Sequence, residues 1–433
     1  MTRTTHHAHP TPGFPVFCIA FTDDTHLLLG GGGGASRTGI LNKLKLYAVD
    51  KTGEKFEALK EHVFEKGADS PNTLAVDVSR KQAIVGVNQP VDSIQHAPEE
   101  GNRHCRLLDY SGDEFKQVAA VQTITEPWSD NYPYQKHTSL NPRATLVAIA
   151  TTNYDASLSR ISILSHPDLC IVVRDLAADV GGTGAEVVDL DWSADGTLFA
   201  VTTPNGVDVY SVDASTEKDP RVTFEQTIPA PGLDANPVVF RAARFARAAT
   251  TSPESSSPRP QTLHCILNAR PQAKPRTRKP GAKRPPPAQE RAYAVNLSLV
   301  RDADEGKQHD VRRRKGLGVW DIVARRDIGG RPVTAMQISG DGKLLAYASS
   351  DLSIGIFDAR TLTPLLKILH AHSFPTTALA FNPSGTLLAS SSADNTVRLV
   401  VVPESFGSSS MMVLSLVVAL LLVLIALYIQ YRA

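Results

Sequence analysis

The chain has 433 residues, of which 42% are hydrophobic, enough for two or three average domains or for one large β architecture. Its 45 basic and 44 acidic residues leave a net charge of +1, so the composition shows no global acidic or basic bias. The four cysteines are dispersed and form no CxxC pair, which argues against a disulfide framework or a zinc site and favours a reducing compartment.

The first ten residues are rich in histidine and carry no apolar segment of the kind that a signal peptide needs. We expect residues 1–10 to be a disordered N-terminus. The clustered His6, His7 and His9 belong to this tail and are not interpreted as a metal site.

Repetition is the clearest internal signal. An apolar alternating strand, a polar turn ending in glycine and a second apolar strand recur in segments that begin at Val187, Val333 and Thr376. The turns of the last two copies lie about 43 residues apart, the length of one propeller blade. Weaker copies begin near residues 15, 72 and 137. We therefore predict an all-β fold, a seven-bladed WD-repeat-like β-propeller over residues 11–402. Unrelated β-sandwiches are the alternative, and they explain the even repeats poorly.

An insertion at about residues 250–290 interrupts the repeats. Residues 250–260 are rich in Ser and Pro, and residues 271–287 are rich in Pro and basic, so both are expected to be flexible and exposed. The basic part could be simply solvated or could contact anionic lipid. Nucleic acid is not expected as a partner, because no aromatic residues interleave with the charges.

The end of the chain is apolar. Residues 403–410 form a short tether, and residues 411–429 are an uncharged run of about the length that spans a bilayer as a helix. We predict a single C-terminal transmembrane helix, a cytosolic propeller and a lumenal tail at 430–433. The short span favours the endoplasmic reticulum.

Five consecutive glycines, Gly30 to Gly34, follow the first hydrophobic strand. They do not form a P-loop, because no Gly-Lys-Ser/Thr follows and the next segment alternates like a strand and not a helix. Glycines allow carbonyl groups to turn toward a cation, and a loop without carboxylates favours a large monovalent ion over calcium or magnesium. Ile40 and Leu41 at the tip suit a partner interface, and Asn42 offers donor and acceptor groups.

The order glycine run, basic residue, Gly, two residues, Asn is found at Gly31 to Gly34, Arg37, Gly39 and Asn42. This pattern, in a propeller followed by one C-terminal span, resembles the potassium loop of the Sec-twelve-like family, the endoplasmic-reticulum guanine-nucleotide exchange factors for the Sar-type small GTPase.

The resemblance implies a structural potassium ion held by backbone carbonyl groups. The residues it implicates are Gly31, Gly32, Gly33, Gly34, Ala35, Ser36 and Gly39. It also implies that Asn42, with Ile40 and Leu41 beside it, acts on the GTPase near its nucleotide. Exchange of GDP for GTP would then start assembly of the COPII coat for transport from the endoplasmic reticulum to the Golgi. No covalent chemistry is needed, and the chain shows no acid–base constellation for it. A membrane-tethered WD-repeat scaffold without exchange activity is the alternative.

Overall fold

The structure is a computed structural model that describes most of the chain. The described residues are 4–35, 39–96, 101–155, 157, 159–176, 185–213, 220–233, 237–247, 261–269, 290–300, 318–406, 417–425 and 430–431. Most of the predicted insertion, including residues 250–260 and 271–287, lies outside these ranges.

The described propeller consists of seven four-stranded antiparallel sheets. In chain order the elements are β1 (His6–Pro10), β2 (Val16–Asp23), β3 (His26–Gly31), β4 (Lys43–Val49), β5 (Phe56–Val63), β6 (Leu74–Asp77), β7 (Gln82–Gly86), α1 (Val91–His96), β8 (Cys105–Asp109), β9 (Lys116–Val121), β10 (Tyr134–Leu140), β11 (Leu146–Thr152), β12 (Arg160–Ser165), β13 (Ile171–Leu176), β14 (Asp189–Trp192), β15 (Leu198–Thr203), β16 (Gly206–Asp213), β17 (Arg221–Pro229), β18 (Val238–Phe245), β19 (Thr262–Ala269), β20 (Arg291–Val300), β21 (Val319–Gly329), β22 (Val333–Ile338), β23 (Leu344–Ser349), β24 (Ile354–Asp358), β25 (Pro364–Ile368), β26 (Thr376–Phe381), β27 (Leu387–Ser392) and β28 (Thr396–Val401). The seven-bladed, all-β prediction is confirmed.

Blades 1 to 6 each take four consecutive strands, beginning with β2 for blade 1. The first strands of neighbouring blades contact one another, which makes them the innermost strands of the ring. Because strand direction alternates, the connections between second and third strands share one face with the connections between blades. We call this the loop face.

Blade 7 closes the ring with the N-terminus. Strand β1 pairs antiparallel with β28, with His6 opposite Val400 and Pro10 opposite Thr396. The expectation that residues 1–10 are disordered is therefore wrong for residues 6–10. The segment carries no strong apolar pattern, but pairing with β28 gives its backbone groups partners along one side and completes the fourth strand of blade 7.

The repeated turns work as the sequence predicted. In blade 4 the Ser193 hydroxyl donates to Asp195 Oδ1 at 2.6 Å, and Gly196 adopts φ +72°. In blade 6 the Ser339 hydroxyl donates to Asp341 Oδ1, also at 2.6 Å. These turns close hairpins by bonding their own residues, and a left-handed glycine completes each of them.

The core lies between adjacent blades, where apolar side chains from facing sheets interdigitate. The cluster that seals the ring joins Val16 and Leu27 of blade 1 to Leu387 and Leu399 of blade 7, all fully buried. This contact fixes blade 1, which carries the glycine loop, against the last blade.

Residues 417–425 near the C-terminus are helical. Among the residues that the structure describes, no helix is both long and apolar enough to cross a membrane. Residues 411–416 and 426–429 of the predicted span lie outside the described ranges, so the transmembrane helix stays a prediction.

Candidate functional site: the glycine loop

The glycine run serves two different purposes in the structure. Gly30 and Gly31 belong to strand β3, where a Cβ on Gly30 would lie 2.5 Å from Cys18 Sγ and one on Gly31 would lie 2.0 Å from the Pro15 carbonyl oxygen. These two glycines allow blade 1 to pack closely. The excursion itself comprises residues 32–42, which we call the glycine loop.

Gly32 begins the loop with a backbone that other residues rarely adopt. Its φ is +142°, and a Cβ there would lie 2.3 Å from Asn42 Oδ1 and 2.6 Å from Asn42 Cα. Its N–H donates to the Pro15 carbonyl at 3.0 Å. The start of the loop is therefore pressed directly against its end, and only glycine allows this approach.

Asn42 holds the loop closed. Its Oδ1 accepts from the Gly34 N–H at 2.8 Å, while its Nδ2 donates to the Gly34 carbonyl at 3.1 Å and to the Ala68 carbonyl at 2.7 Å. Its own carbonyl accepts from the Phe64 N–H at 2.9 Å. Only 6% of Asn42 is exposed. In this structure the amide is engaged by the loop and by the neighbouring connection between blades, and the action of Asn42 on the GTPase stays a prediction.

The apolar tip does face outward. Leu41 is 52% exposed, and Ile40 beside it is half-buried. Gly39 precedes them with φ +78° in open space. Ala35 is exposed, and Ser36 lies outside the described residues. A large aliphatic side chain in water beside a fixed backbone is the kind of group that a protein partner buries.

A carboxylate that the sequence analysis missed lies beside the loop. Asp69, from the connection between β5 and β6, places Oδ1 3.4 Å from where a Cβ on Gly34 would stand. The Ser70 N–H donates to the same oxygen at 2.8 Å, and burial raises the pKa of Asp69. Asp69 is far from the glycine loop in sequence. It belongs to a polar segment that follows the outer strand of the same blade, and this polar segment was the one signal in the sequence that could have indicated it.

The recorded surroundings of Gly34 do not suit calcium. Asp69 brings a single carboxylate there, whereas calcium sites gather several carboxylates. Within the described ranges, no group of three or more His, Cys, Asp or Glu side chains could hold a metal ion. Potassium binding by the glycine loop stays a prediction.

A salt bridge supports the connection on which Asn42 rests. Arg106 on β8 donates from both terminal nitrogens to Glu65, at 2.8 Å and 2.6 Å, and its guanidinium lies 5.4 Å from the centre of the Phe64 ring. The Ala68 N–H in turn donates to the Glu65 carbonyl at 3.1 Å. Arg106 and Glu65 line a polar cleft of about 450 Å³. This bidentate pair fixes the two backbone groups, on Phe64 and Ala68, that bond Asn42.

Comparison with known protein families matches a WD domain, G-beta repeat, to residues 363–400, in agreement with blade 7 and the end of blade 6. Two solved structures of COPII coats on membranes, one of them of the outer coat vertex, each align over 91% of this chain with a TM-score of 0.55 and 11% identity. The alignments cover 86% and 48% of the respective chains. At this identity the likeness concerns the fold alone.

Curated relatives cover nearly the whole chain at low identity. A putative guanine nucleotide-exchange factor SED4 from Candida glabrata is 22% identical over 403 residues, and SED4 from Saccharomyces cerevisiae is 22% identical over 390 residues. The guanine nucleotide-exchange factor SEC12 from Candida glabrata is 22% identical over 405 residues. The alignments span 92%, 90% and 92% of this chain, and 32%, 30% and 72% of those proteins. The chain thus spans about a third of the length of the two SED4 relatives.

Proposed function

We propose that this chain, a homologue of the SEC12 and SED4 guanine nucleotide-exchange factors, promotes GDP release from a Sar-type small GTPase. GTP loading at the endoplasmic reticulum membrane would then initiate COPII assembly. The observation that carries the proposal is the closed glycine loop, which presents Leu41 to solvent from a backbone fixed by Asn42. The family resemblance supplies the identity of the GTPase.

Exchange of this kind is a matter of linkage and needs no covalent step. A factor that binds the nucleotide-free GTPase more tightly than the GDP-bound form must weaken GDP binding by the same factor. Leu41 and Ile40 are the side chains we assign to contact with the GTPase. Asn42 acts as a positioning residue, since it would have to break three side-chain hydrogen bonds to reach a partner.

A potassium ion would strengthen this arrangement. Carbonyl groups of residues 32–35 and the Asp69 carboxylate are the groups we assign to it, and a bound cation would neutralise Asp69 and draw the loop carbonyls together. An ordered loop loses less conformational entropy when the GTPase binds, which favours tight binding.

The apolar segment 411–429 is proposed as the membrane anchor. Its hydropathy supports this assignment, and the tether at 403–410 would keep the propeller close to the bilayer surface. The GTPase would then meet the factor at the membrane on which the coat assembles.

The test is GDP release from a fluorescently loaded Sar-type GTPase, with the full chain in detergent micelles. The wild-type chain is expected to accelerate release. Leu41→Ala should slow the accelerated rate about tenfold, which corresponds to about 1.4 kcal/mol of lost contact. Its folding should be unaffected because the side chain is exposed.

An exposed asparagine in an ordinary turn provides the comparison for the buried Asn42. Asn205 is exposed in the connection between β15 and β16, the position in blade 4 that the glycine loop occupies in blade 1. Asn42→Ala should remove most of the acceleration, whereas Asn205→Ala should retain it. If the wild-type chain leaves the release rate unchanged, the exchange function is wrong and a scaffold role takes its place.

A further inference from the structure

Tyr154 is an exposed aromatic residue on a fixed turn of the loop face. It lies between β11 and β12 and is 95% exposed. Its N–H donates to Asn131 Oδ1 at 2.9 Å, and Asn153 before it is buried and donates from Nδ2 to the Ser157 hydroxyl at 2.8 Å. A tyrosine on an ordered backbone offers a large amphipathic contact at a low entropic cost.

A small hydrophobic cluster lies between Tyr154 and the glycine loop. Ile94 of helix α1 packs with Ile124, Trp128 and Tyr132 of the connection between blades 2 and 3. The Trp128 and Tyr132 rings lie 5.1 Å apart. We call this cluster, with α1, the platform. A loop region that has its own core is an ordered surface and not a slack connection.

Hydrogen bonds that run beside the platform connect the glycine loop to Tyr154. Asn42 bonds Ala68, and the next residue, Asp69, donates from its N–H to the Asn88 carbonyl at 3.0 Å. Asn88 Nδ2 then donates to the Pro133 carbonyl at 3.1 Å, two residues from Asn131, which bonds the Tyr154 turn. The loop face of blades 1 to 3 is therefore one continuous bonded surface.

Blades 6 and 7, on the other side of the glycine loop, offer an alternative surface. Leu369 and Phe374, on the connection between blades 6 and 7, are 66% and 60% exposed on the loop face. Blade 7 also adjoins blade 1, so a partner bound to the glycine loop could contact Leu369 and Phe374. The turns between the second and third strands of blades 6 and 7, however, are short, at residues 350–353 and 393–395, and they do not form a platform.

We propose that the GTPase engaged by the glycine loop extends across the platform and places an apolar surface against Tyr154. This inference rests on the proposed function and names the part of the propeller that the same partner covers. Tyr154 adds affinity without acting near the nucleotide, because it lies two blades away from the loop. It is assigned to affinity for the GTPase and not to the exchange machinery.

The test compares Tyr154→Ala with Phe374→Ala in the full chain, both measured as GDP release at increasing factor concentration. Tyr154→Ala should raise the half-saturating concentration about tenfold and leave the maximal release rate unchanged, as expected for a contact made equally before and during exchange. Tyr154→Phe should retain most of the affinity, because the ring provides the contact. Phe374→Ala should match the wild type.

Both alanine variants should unfold at the wild-type temperature, since the two side chains are exposed and surface substitutions seldom change stability. Tyr154→Ala with wild-type saturation would overturn the inference while the exchange function stands. Weakened binding by Phe374→Ala alone would also overturn it and place the GTPase over blades 6 and 7. Failure of the wild-type chain to accelerate release would defeat the proposed function and this inference together.

Discussion

The connection between the second and third strands differs between blades 1 to 3 and blades 4, 6 and 7. In blades 4, 6 and 7 the second and third strands are joined by the short connections 204–205, 350–353 and 393–395. In blade 1 the connection is the glycine loop, and in blade 2 it carries helix α1. The short turns bond the neighbouring connections between blades, as the Ala371 N–H does to the Leu352 carbonyl at 2.8 Å. The long connections do the same and add a loop and a helix of their own. The ring is therefore a common support, and the larger connections are concentrated in one sector of its loop face, the sector to which we assign the partner.

The largest expected effect concerns stability and comes from blade 4, outside the sector of blades 1 to 3. Asp191 on β14 accepts from the Phe245 N–H at 2.8 Å and from Arg247 at 2.7 Å, and it is 2% exposed. Asp191→Ala would leave the buried Phe245 N–H without its acceptor and would remove the carboxylate that pairs with the half-buried Arg247. Each of these two losses typically costs about 1–3 kcal/mol. Chemical denaturation should show this loss, while the exchange activity per folded molecule stays at the wild-type value.

Asp113, exposed in the turn between β8 and β9, provides the control for that substitution. Asp113→Ala should change the free energy of unfolding by less than about 0.5 kcal/mol. If Asp191→Ala reduced the activity of the folded fraction, blade 4 would also take part in exchange. The contrast between blades 1 to 3 and the rest of the ring would then fail.

Two glycines within the glycine loop give the next largest effect. Gly32→Ala forces a side chain into Asn42 at a φ that favours glycine, and we expect a loss of about 1–3 kcal/mol together with most of the exchange activity. Gly39→Ala has a positive φ but open space, so it should cost about 1 kcal/mol or less. Thermal unfolding and GDP release measure both changes. Equal losses from the two substitutions would show that close contact with Asn42 is unimportant.

The smallest effect concerns Asp69 and potassium. Because burial raises the pKa of Asp69 above its unfolded value, stability is lost as the pH rises from the unfolded to the folded pKa, and the loss is complete above the folded pKa. A nearby potassium ion favours the ionised form. The gain in melting temperature when potassium replaces choline should therefore grow from pH 4 to pH 7, to about 1–3 °C.

Asp69→Asn removes the titrating group and keeps the shape of the side chain, so it is the matched control for the cation. In this variant the effect of potassium on the melting temperature should no longer depend on pH between 4 and 7. A dependence that persists in Asp69→Asn would assign the pH effect to another group.

The sequence predicted the ring better than the site. Gly196 and Gly342 mark turns whose bonds lie within a few residues, so local sequence was sufficient to find those blades. Strand β1 was missed because its partner β28 lies at the other end of the chain and its own residues have no strong apolar alternation. Long-range pairing of this kind leaves little trace in a short segment.

The glycine loop was recognised in sequence, but its internal geometry was not. A sequence does not reveal whether an amide faces a partner or its own chain, and Asn42 faces Gly34 and Ala68. Asp69 and Arg106 reach the site from other segments of the fold, so their roles depend on contacts that only the folded ring creates. The exposed Leu41, in contrast, matches the prediction of an apolar tip.

The most direct measurement is amide hydrogen exchange of the full chain in detergent, with and without nucleotide-free Sar-type GTPase. We predict that the GTPase protects the amides of residues 32–42, and that it leaves the turns at 204–205 and 350–353 unchanged. Accelerated GDP release without protection of residues 32–42 would contradict the assignment of the glycine loop as the element that engages the GTPase.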